Sequence, residues 1–479
     1  MSTSTIPTDS GPRMKFVFLV TAVAALGGFL AGFDTAAMSG ANAFLRERFA
    51  LSDFMLGWTV SCLIIGCAIG AAFAGALGDR LGRKKVLIGA SLLFIAGIAV
   101  SALSPSLPLL IVFRMIEGLG LGLTSALCPL YNAEIAPAKY RGRLVAMNQL
   151  ALVTGIFLGS LLAYGITGLG DELWNQATGW RILLGIGVVP GVLFLLLLFL
   201  VPESPRWLIK QGKPEKALPI LLKIHGEELA RKEVLDIKQS FKQEEGLGHA
   251  TLKELFASKH RIILVVGVMM AVLQQVTGIN AIMYYAPTIF RQAGAGTSGS
   301  LTQAIFVGLV NLLFTILSLW LVDKAGRKLL ILIGSAFMTV SLTVIGYAFY
   351  SGNTSGPLVL AAILVYVAAF AVSLGAVVWV ILAEIFPNRI RGLATAVCTM
   401  ALWAMDFVVS QSFPSLISTA GPAVTFWMFA ATSLFTFLFT LGVVPETKGK
   451  SLEEIEAMWE THRQDKENKD RLKTSLQKS

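Results

Sequence analysis

The chain has 479 residues, of which 55% are hydrophobic and 14% charged, with a mean hydropathy of +0.72. Soluble domains carry about 25% charged residues, so this composition excludes an ordinary water-soluble globular protein and makes lipid the main solvent of the fold. The formal charge of +10 does not point to nucleic acid, because Lys and Arg fall in bursts beside apolar runs, as the positive-inside rule expects.

A membrane-crossing helix needs about 20 largely apolar residues. Apolar runs between breakers predict spans near 16–41, 54–77, 86–104, 107–131, 144–166 and 180–201. A second set follows near 262–290, 301–322, 329–350, 357–382, 393–418 and 424–444. The first run, after Arg13 and Lys15, is too long for a secretion signal and contains Asp34, so it is read as a retained span. The chain divides into a cytoplasmic N-terminal tail (1–15), a six-helix half (16–201), a cytoplasmic helical linker (202–260), a second six-helix half (261–444) and a cytoplasmic tail (445–479). Within the linker, helices are expected near Pro214–His225 and Glu228–Glu245, and the tail opens on an amphipathic stretch, Ser451–Trp459.

Loops on the side of the N-terminus hold Arg80, Arg83, Lys84, Lys85, Lys139, Arg141, Arg143, Lys324, Arg327, Lys328, Arg389 and Arg391; the opposite loops hold few cations. Both termini are therefore expected in the cytoplasm, in a multi-pass protein of a cell membrane, either a bacterial inner membrane or a plasma membrane. Cys62, Cys67, Cys128 and Cys398 lie in apolar runs without metal-ligand spacing and read as packed thiols. His225, His249, His260 and His462 all fall in predicted cytoplasmic segments, so none is placed to relay protons through the membrane.

The chain repeats itself at long period. AEIAPAKYRGRL at 133–144 returns as AEIFPNRIRGLA at 383–394, GDRLGRKK at 78–85 as VDKAGRKL at 322–329, and PESPRW after the sixth span as PETKGK after the twelfth. Two parallel six-helix halves form a transporter architecture, which places the substrate near the membrane midplane. In the repeated loops glycine permits tight helix–helix turns, and the carboxylates of Asp79, Glu134, Asp323 and Glu384 face cations such as Arg83, Arg141, Arg327 and Arg391. Pairs of that kind can latch one conformation and break in another; simple snorkelling of basic side chains is the alternative.

Taken together, GDRLGRKK, AEIAPAKYRGRL, PESPRWL at 202–208, QQVTGINAIMYY at 274–285, DKAGRK, AEIFPNRIRG and PETKGKSLEEIE at 445–456 resemble the sugar porter family of the major facilitator superfamily. The likeness runs from about Phe16 to Trp459 and rests on PESPR, QQxxGIN and PETKG in that order. It implies an all-α membrane protein of twelve transmembrane helices in two pseudo-symmetric halves, working by alternating access. By motif matching it implies sugar ligands at Gln149, Gln274, Gln275, Asn280, Asn311 and Trp379.

The residue types fit that chemistry on their own terms. A sugar hydroxyl both donates and accepts, as an amide does, and buried amides without partners are costly. Gln274, Gln275 and Asn280 within one span are thus better explained by a solute than by helix bridging, and on a continuous helix 274, 278 and 281 share a face with 275 beside it. Trp379 and Trp403 offer flat apolar faces to a pyranose ring, or simply pack. Tyr284 and Tyr285 either gate the outer side or belong to an interfacial aromatic belt.

Ionisable groups inside spans are functional candidates by default, and Asp34 and Arg114 stand out. Each lies about seven to ten positions from its outer helix end, about 10–15 Å deep at 1.5 Å per residue, so the two can pair. An acid in the GFDTAAMSG segment resembles the proton-coupled members of the family, which implies proton symport with Asp34 as proton site and Arg114 as its partner. Asp406 departs from the family, whose members usually carry a neutral amide there; it reads as a second protonation site, a hydroxyl acceptor or an anchor for a cationic solute. Leu402 stands where a polar residue is common.

The leading expectation is a proton-coupled monosaccharide importer that takes a small neutral sugar, sits in the bilayer, acts as a monomer and needs no cofactor beyond the proton. A polyol or inositol carrier, an uncoupled uniporter, an organic-cation antiporter and a non-transporting sugar sensor are the alternatives. No GxxxxGK[ST] motif or catalytic constellation is present in the sequence, so neither an ATP-driven pump nor an enzyme is expected.

Overall fold

The computed structural model describes residues 14–454 apart from 138–139, 248–250, 355–356, 388 and 449–453. The side chain of Asp323, the sequence 451–453 and everything after 454, including most of the expected amphipathic tail, lie outside the described residues.

Twelve helices are long and apolar enough to cross a membrane: Met14–Arg48, Asp53–Leu81, Arg83–Leu103, Leu107–Ile135, Arg141–Thr167, Glu172–Leu200, His260–Gln292, Thr297–Val322, Arg327–Tyr350, Pro357–Glu384, Arg391–Thr419 and Pro422–Gly442. They are numbered here as the first to twelfth spans. Every expected span is present. The first extends to Arg48 rather than 41, because Ala41, Phe44 and Leu45 remain buried and prolong the helix beyond the most apolar stretch. The sixth starts at Glu172, where Asp171 caps the first turn by accepting from the Trp174 backbone N–H.

Contacts divide the chain into two compact units, one of residues up to Ala50 with Cys62–His249, the other of Leu51–Ser61 with residues from Ala250 onward. In the first unit the first and fifth spans approach at backbone distance. A Cβ at Gly159 would lie 2.7 Å from that of Ala36, and one at Gly97 2.7 Å from Glu117 Cα, where the third span meets the fourth. Small residues at such crossings are how apolar helices associate when lipid gives them no hydrophobic incentive. The linker forms the expected helices at Pro214–His225 and Glu227–Leu247 together with Pro205–Lys210. Trp207, Leu208, Ile209, Ala217, Leu221 and Ala230 give it a small core of its own.

In the second unit two spans are not continuous, which corrects the reading of 274, 278 and 281 as one helical face. The seventh breaks after Val276 at Gly278, whose φ of 90° and ψ of 14° are left-handed, a conformation that glycine adopts without penalty. The tenth breaks at Ser373. Backbone carbonyls freed by a break need partners inside a bilayer, and neighbouring side chains supply them. Tyr366 Oη donates to Thr277 O at 2.9 Å and Thr432 Oγ1 to Val276 O at 2.8 Å at the first break, Ser318 Oγ donates to Val372 O at 3.1 Å at the second, and Gln274 Nε2 reaches Leu374 O just beyond it at 2.7 Å. Each break is therefore pinned, and two of these bonds tie the seventh span to the tenth.

A Cβ at Gly278 would need both a positive φ and space 2.5 Å from the Phe429 ring. Gly278→Ala is expected to destabilise the protein by about 1–3 kcal/mol, read as a lower melting temperature in detergent; an unchanged melting curve would show that the break tolerates a side chain.

Candidate functional site

In the first unit, Asp34 of the first span and Arg114 of the fourth form the ion pair expected of them. Arg114 Nη1 donates to Asp34 Oδ1 at 2.7 Å and Nη2 to Oδ2 at 3.3 Å, a two-pronged geometry suited to a planar guanidinium. Both side chains are buried, with 0% and 1% of their surface exposed. A lone charge there would carry a heavy desolvation cost, and removing one partner of such a pair costs about 3–5 kcal/mol.

A third charged side chain completes the cluster. Glu117, one turn along the fourth span, is fully buried, and its Oε2 accepts from Arg114 Nη1 at 3.5 Å. Its spacing from Arg114 was a visible signal in the sequence, since positions three apart share a helix face, but it was not among the expected site residues.

In the second unit the amides gather at the break of the seventh span. Asn280 Nδ2 donates to Gln275 Oε1 at 2.9 Å, and the Asn280 side chain lies beside the carboxyl of Asp406 of the eleventh span. Ser410 Oγ donates to Asp406 Oδ1 at 3.1 Å. Asp406 is 2% exposed, and among the described residues no cation pairs with it. Gln274 spends its Nε2 on Leu374 O, while its Oε1 is buried with no donor. This unit therefore holds a buried carboxylate next to a linked pair of amides, and a third amide with an unused acceptor.

The remaining expected contacts are more dispersed. Asn311 is buried on the eighth span, Trp379 is 41% exposed on the tenth and Trp403 is half-buried on the eleventh. Gln149 lies half-buried on the fifth span, in the first unit. Tyr285 is packed inward, its hydroxyl donating to Ser410 O at 3.2 Å and its ring 5.2 Å from that of Phe413; Tyr284 is also buried.

The repeated loops build the same device twice, each within one unit. Gly82 and Gly326 open the third and ninth spans at φ 99° and 94°. Glu203 of PESPR accepts from the backbone N–H of Arg83 at 2.9 Å and Lys84 at 3.1 Å; Glu446 of PETKG accepts from Arg327 and Lys328, both at 3.0 Å. A carboxylate on the first N–H groups of a helix satisfies orphan donors and the helix dipole together. Arg83 then reaches Asp79 at 2.8 Å and Glu134 at 2.9 Å, and Arg327 reaches Glu384 at 2.9 Å. Lys84 and Lys328 donate to the terminal carbonyls of Val201 and Leu441.

Two expected partners do otherwise. Arg391 donates to Phe386 O rather than to a carboxylate, and Glu134 is taken by Arg83 rather than by Arg141, which is exposed. Asp79 also pairs with Lys210 at 2.8 Å, and Thr447 Oγ1 donates to Glu384 Oε2 at 2.6 Å. Neither Glu203 nor Glu446 was assigned a role from the sequence, although both stand in motifs that mark the family.

The family described as "Sugar (and other) transporter" matches residues 20–459. The chain belongs to the sugar porter family of the major facilitator superfamily. This transporter is 43% identical over 454 residues to the arabinose-proton symporter of Bacillus subtilis (strain 168), covering 95% of this chain and 97% of that one. It is 40% identical over 478 residues to the D-xylose-proton symporter of Escherichia coli (strain K12), covering 93% and 96%. A solved structure of the xylose transporter XylE from E. coli, in a partially occluded inward open conformation, superposes with a TM-score of 0.82 at 38% identity, covering 91% of the transporter and 100% of that chain. Family and fold are those of membrane transporters and not of enzymes.

Burial pushes the Glu446 carboxyl up, but hydrogen bonds from the backbone N–H groups of Lys448, Arg327, Lys328 and Thr447 outweigh it and hold the group below its usual 4.5. A carboxyl depressed on folding adds stability above its unfolded titration range, and that increment is lost as pH falls through the folded value. Wild-type melting temperature should therefore fall more steeply on acidification than that of Glu446→Gln; parallel slopes would show that the cap contributes no pH-dependent stability.

Proposed function

We propose that the transporter imports a monosaccharide, a hexose or pentose, by proton symport through alternating access, with Asp34 as the proton site and Arg114 as its partner. The observation that carries this reading is the buried, two-pronged Arg114–Asp34 pair. While Asp34 is ionised, separating the first and fourth spans would leave two unpaired charges in an apolar interior, at a cost of several kcal/mol. A proton on Asp34 removes that penalty for the carboxyl and weakens its hold on the guanidinium, so proton binding and helix movement become one event. The two relatives reported above are named as proton symporters of arabinose and of D-xylose, which favours both the coupling ion and the substrate class.

The sugar is assigned to the amides of the second unit, Gln274, Gln275 and Asn280, with Asn311, Trp379 and Trp403 as further contacts. The unused Gln274 Oε1 supports this, since a buried acceptor without a donor is satisfied by a sugar hydroxyl. Tyr284 and Tyr285 are proposed as gating residues. The networks around Asp79, Arg83 and Glu134, and around Arg327 and Glu384, are proposed as cytoplasmic latches, with Asp323, Arg141 and Arg391 joining them in other states. The bias of Lys and Arg among the loops supports cytoplasmic termini, and one chain is proposed to suffice for transport.

The test is uptake of labelled glucose, galactose, xylose, arabinose and inositol into proteoliposomes with and without an inward proton gradient. Wild type should accumulate one or more of the sugars above equilibrium only with the gradient, whereas Asp34→Asn should lose accumulation and retain counterflow exchange. Gradient-independent equilibration in both proteins would make this a uniporter, and transport of inositol alone would make it a polyol carrier. A second expectation concerns Asp406, whose carboxylate lies beside Asn280. Asp406→Asn should change KM among the sugars several-fold, with a smaller effect on the pH profile; unchanged KM for every solute would remove Asp406 from the site.

A further inference from the structure

Within the Asp34–Arg114 cluster the charges do not balance. Arg114 contributes one positive charge, and Asp34 and Glu117 would contribute two negative charges if both were ionised. All three side chains are at most 1% exposed, and an uncompensated charge in such surroundings is expensive. The charged and titratable neighbours are few. The first span brings Asp34, and the second brings the buried thiol of Cys62, which lies within electrostatic range of all three charged groups. The third and fifth spans carry their cations, Arg83 to Lys85 and Arg141 with Arg143, in their first turns. The linker helix Pro205–Lys210, which also touches the fourth span, carries Arg206 and Lys210 outside the membrane. No second cation among the described residues is placed to neutralise Glu117.

The hydrogen bonding is incomplete in the same place. Glu117 Oε1 is buried and no donor reaches it, yet the Glu117 and Asp34 carboxyls converge on one nitrogen, Arg114 Nη1, which lies 3.5 Å from Glu117 Oε2 and 2.7 Å from Asp34 Oδ1. Two carboxylates are both acceptors and can bond only through a proton. The backbone of Glu117 is held there by the third span, whose Gly97 lies so close that a Cβ would come 2.6 Å from Glu117 N. The glutamate cannot readily be displaced from the cluster.

We infer that Glu117 is a second proton-binding residue of this centre, sharing one proton with Asp34 while Arg114 neutralises the remaining negative charge. The proton moves between a Glu117 carboxyl oxygen and an Asp34 carboxyl oxygen, one O–H bond forming as the other breaks, with no change in the total charge. The centre is then neutral with the ion pair intact, and the two carboxyls titrate as a pair rather than singly. The inference deepens the reading of Asp34 as coupling site and rests on it for its role in transport, but the shared proton can be detected without transport.

The experiment is infrared difference spectroscopy of the purified, lipid-reconstituted protein across pH, reading the C=O stretch of neutral carboxyl groups, in wild type, Glu117→Gln and Asp34→Asn. Wild type should show a neutral-carboxyl component at neutral pH that is lost from both variants, beyond whatever Asp406 contributes to all three, because in each variant a single carboxylate is left to neutralise Arg114. A band retained at wild-type intensity in either folded variant would overturn the inference, so failure of one variant to fold leaves the other to decide. Parallel uptake assays should show the pH of half-maximal proton-driven accumulation displaced downward by about one unit or more in Glu117→Gln; an unshifted midpoint in the folded variant would likewise overturn it. Gradient-independent uptake by wild type with the band still present would instead reject symport and keep the shared proton.

Discussion

A guanidinium placed in an apolar helix bundle has to be neutralised where it stands, and much of the first unit follows from that constraint. Arg114 has no exposed surface, so a carboxylate must come to it from a neighbouring span at hydrogen-bond distance. That requires the first and fourth spans to pack at a defined depth, and close helix crossings at small residues hold them there. The same requirement explains how a few buried charges can govern a chain made mostly of apolar residues. In a medium of low polarity their interactions are long-ranged and strong, whereas the surrounding aliphatic contacts are individually interchangeable.

The second unit solves a different problem, that of interrupted helices. Breaks at Gly278 and Ser373 free backbone groups which, in lipid, nothing but protein can satisfy. Tyr366, Thr432 and Ser318 meet that need, while Gln274 links the seventh span to the tenth through Leu374 O and still retains a free acceptor. One amide thus serves scaffold and candidate site together. Asp406 is likewise woven into the amides through Asn280 and Ser410, which gives its departure from the family pattern a physical setting.

The twelve spans were legible in the sequence because hydrophobic length is a direct imprint of bilayer thickness, and the Asp34–Arg114 pair because charged residues inside spans are rare. The twofold repeat was legible as well, down to the glycine that opens the third and ninth spans. What the sequence hid was anything decided by conformation at a single residue. The QQVTGIN segment reads as helix throughout, and only the left-handed backbone at Gly278 shows that Gln274 and Asn280 lie on separate helical pieces. Glu117 escaped notice because it sits in a glycine-rich apolar stretch where one acid resembles an isolated exception, and its meaning depends on the orientation of Arg114. Glu203 and Glu446 were seen as family marks without a role, since their partners lie more than a hundred residues away in the chain.

That distance has a consequence for biosynthesis. The turn that opens the third span is closed by Glu203, 120 residues downstream of Arg83, and its twin at the ninth span by Glu446, 119 residues downstream of Arg327. Neither cap exists while the helix it completes is leaving the ribosome. Each half must therefore enter the membrane with one corner unfinished, and the corner is fastened only when the last helix of that half has been made. The glutamates in PESPR and PETKG act as end-of-assembly fasteners, one for each half, so a chain interrupted before either of them would leave that half inserted but unsecured.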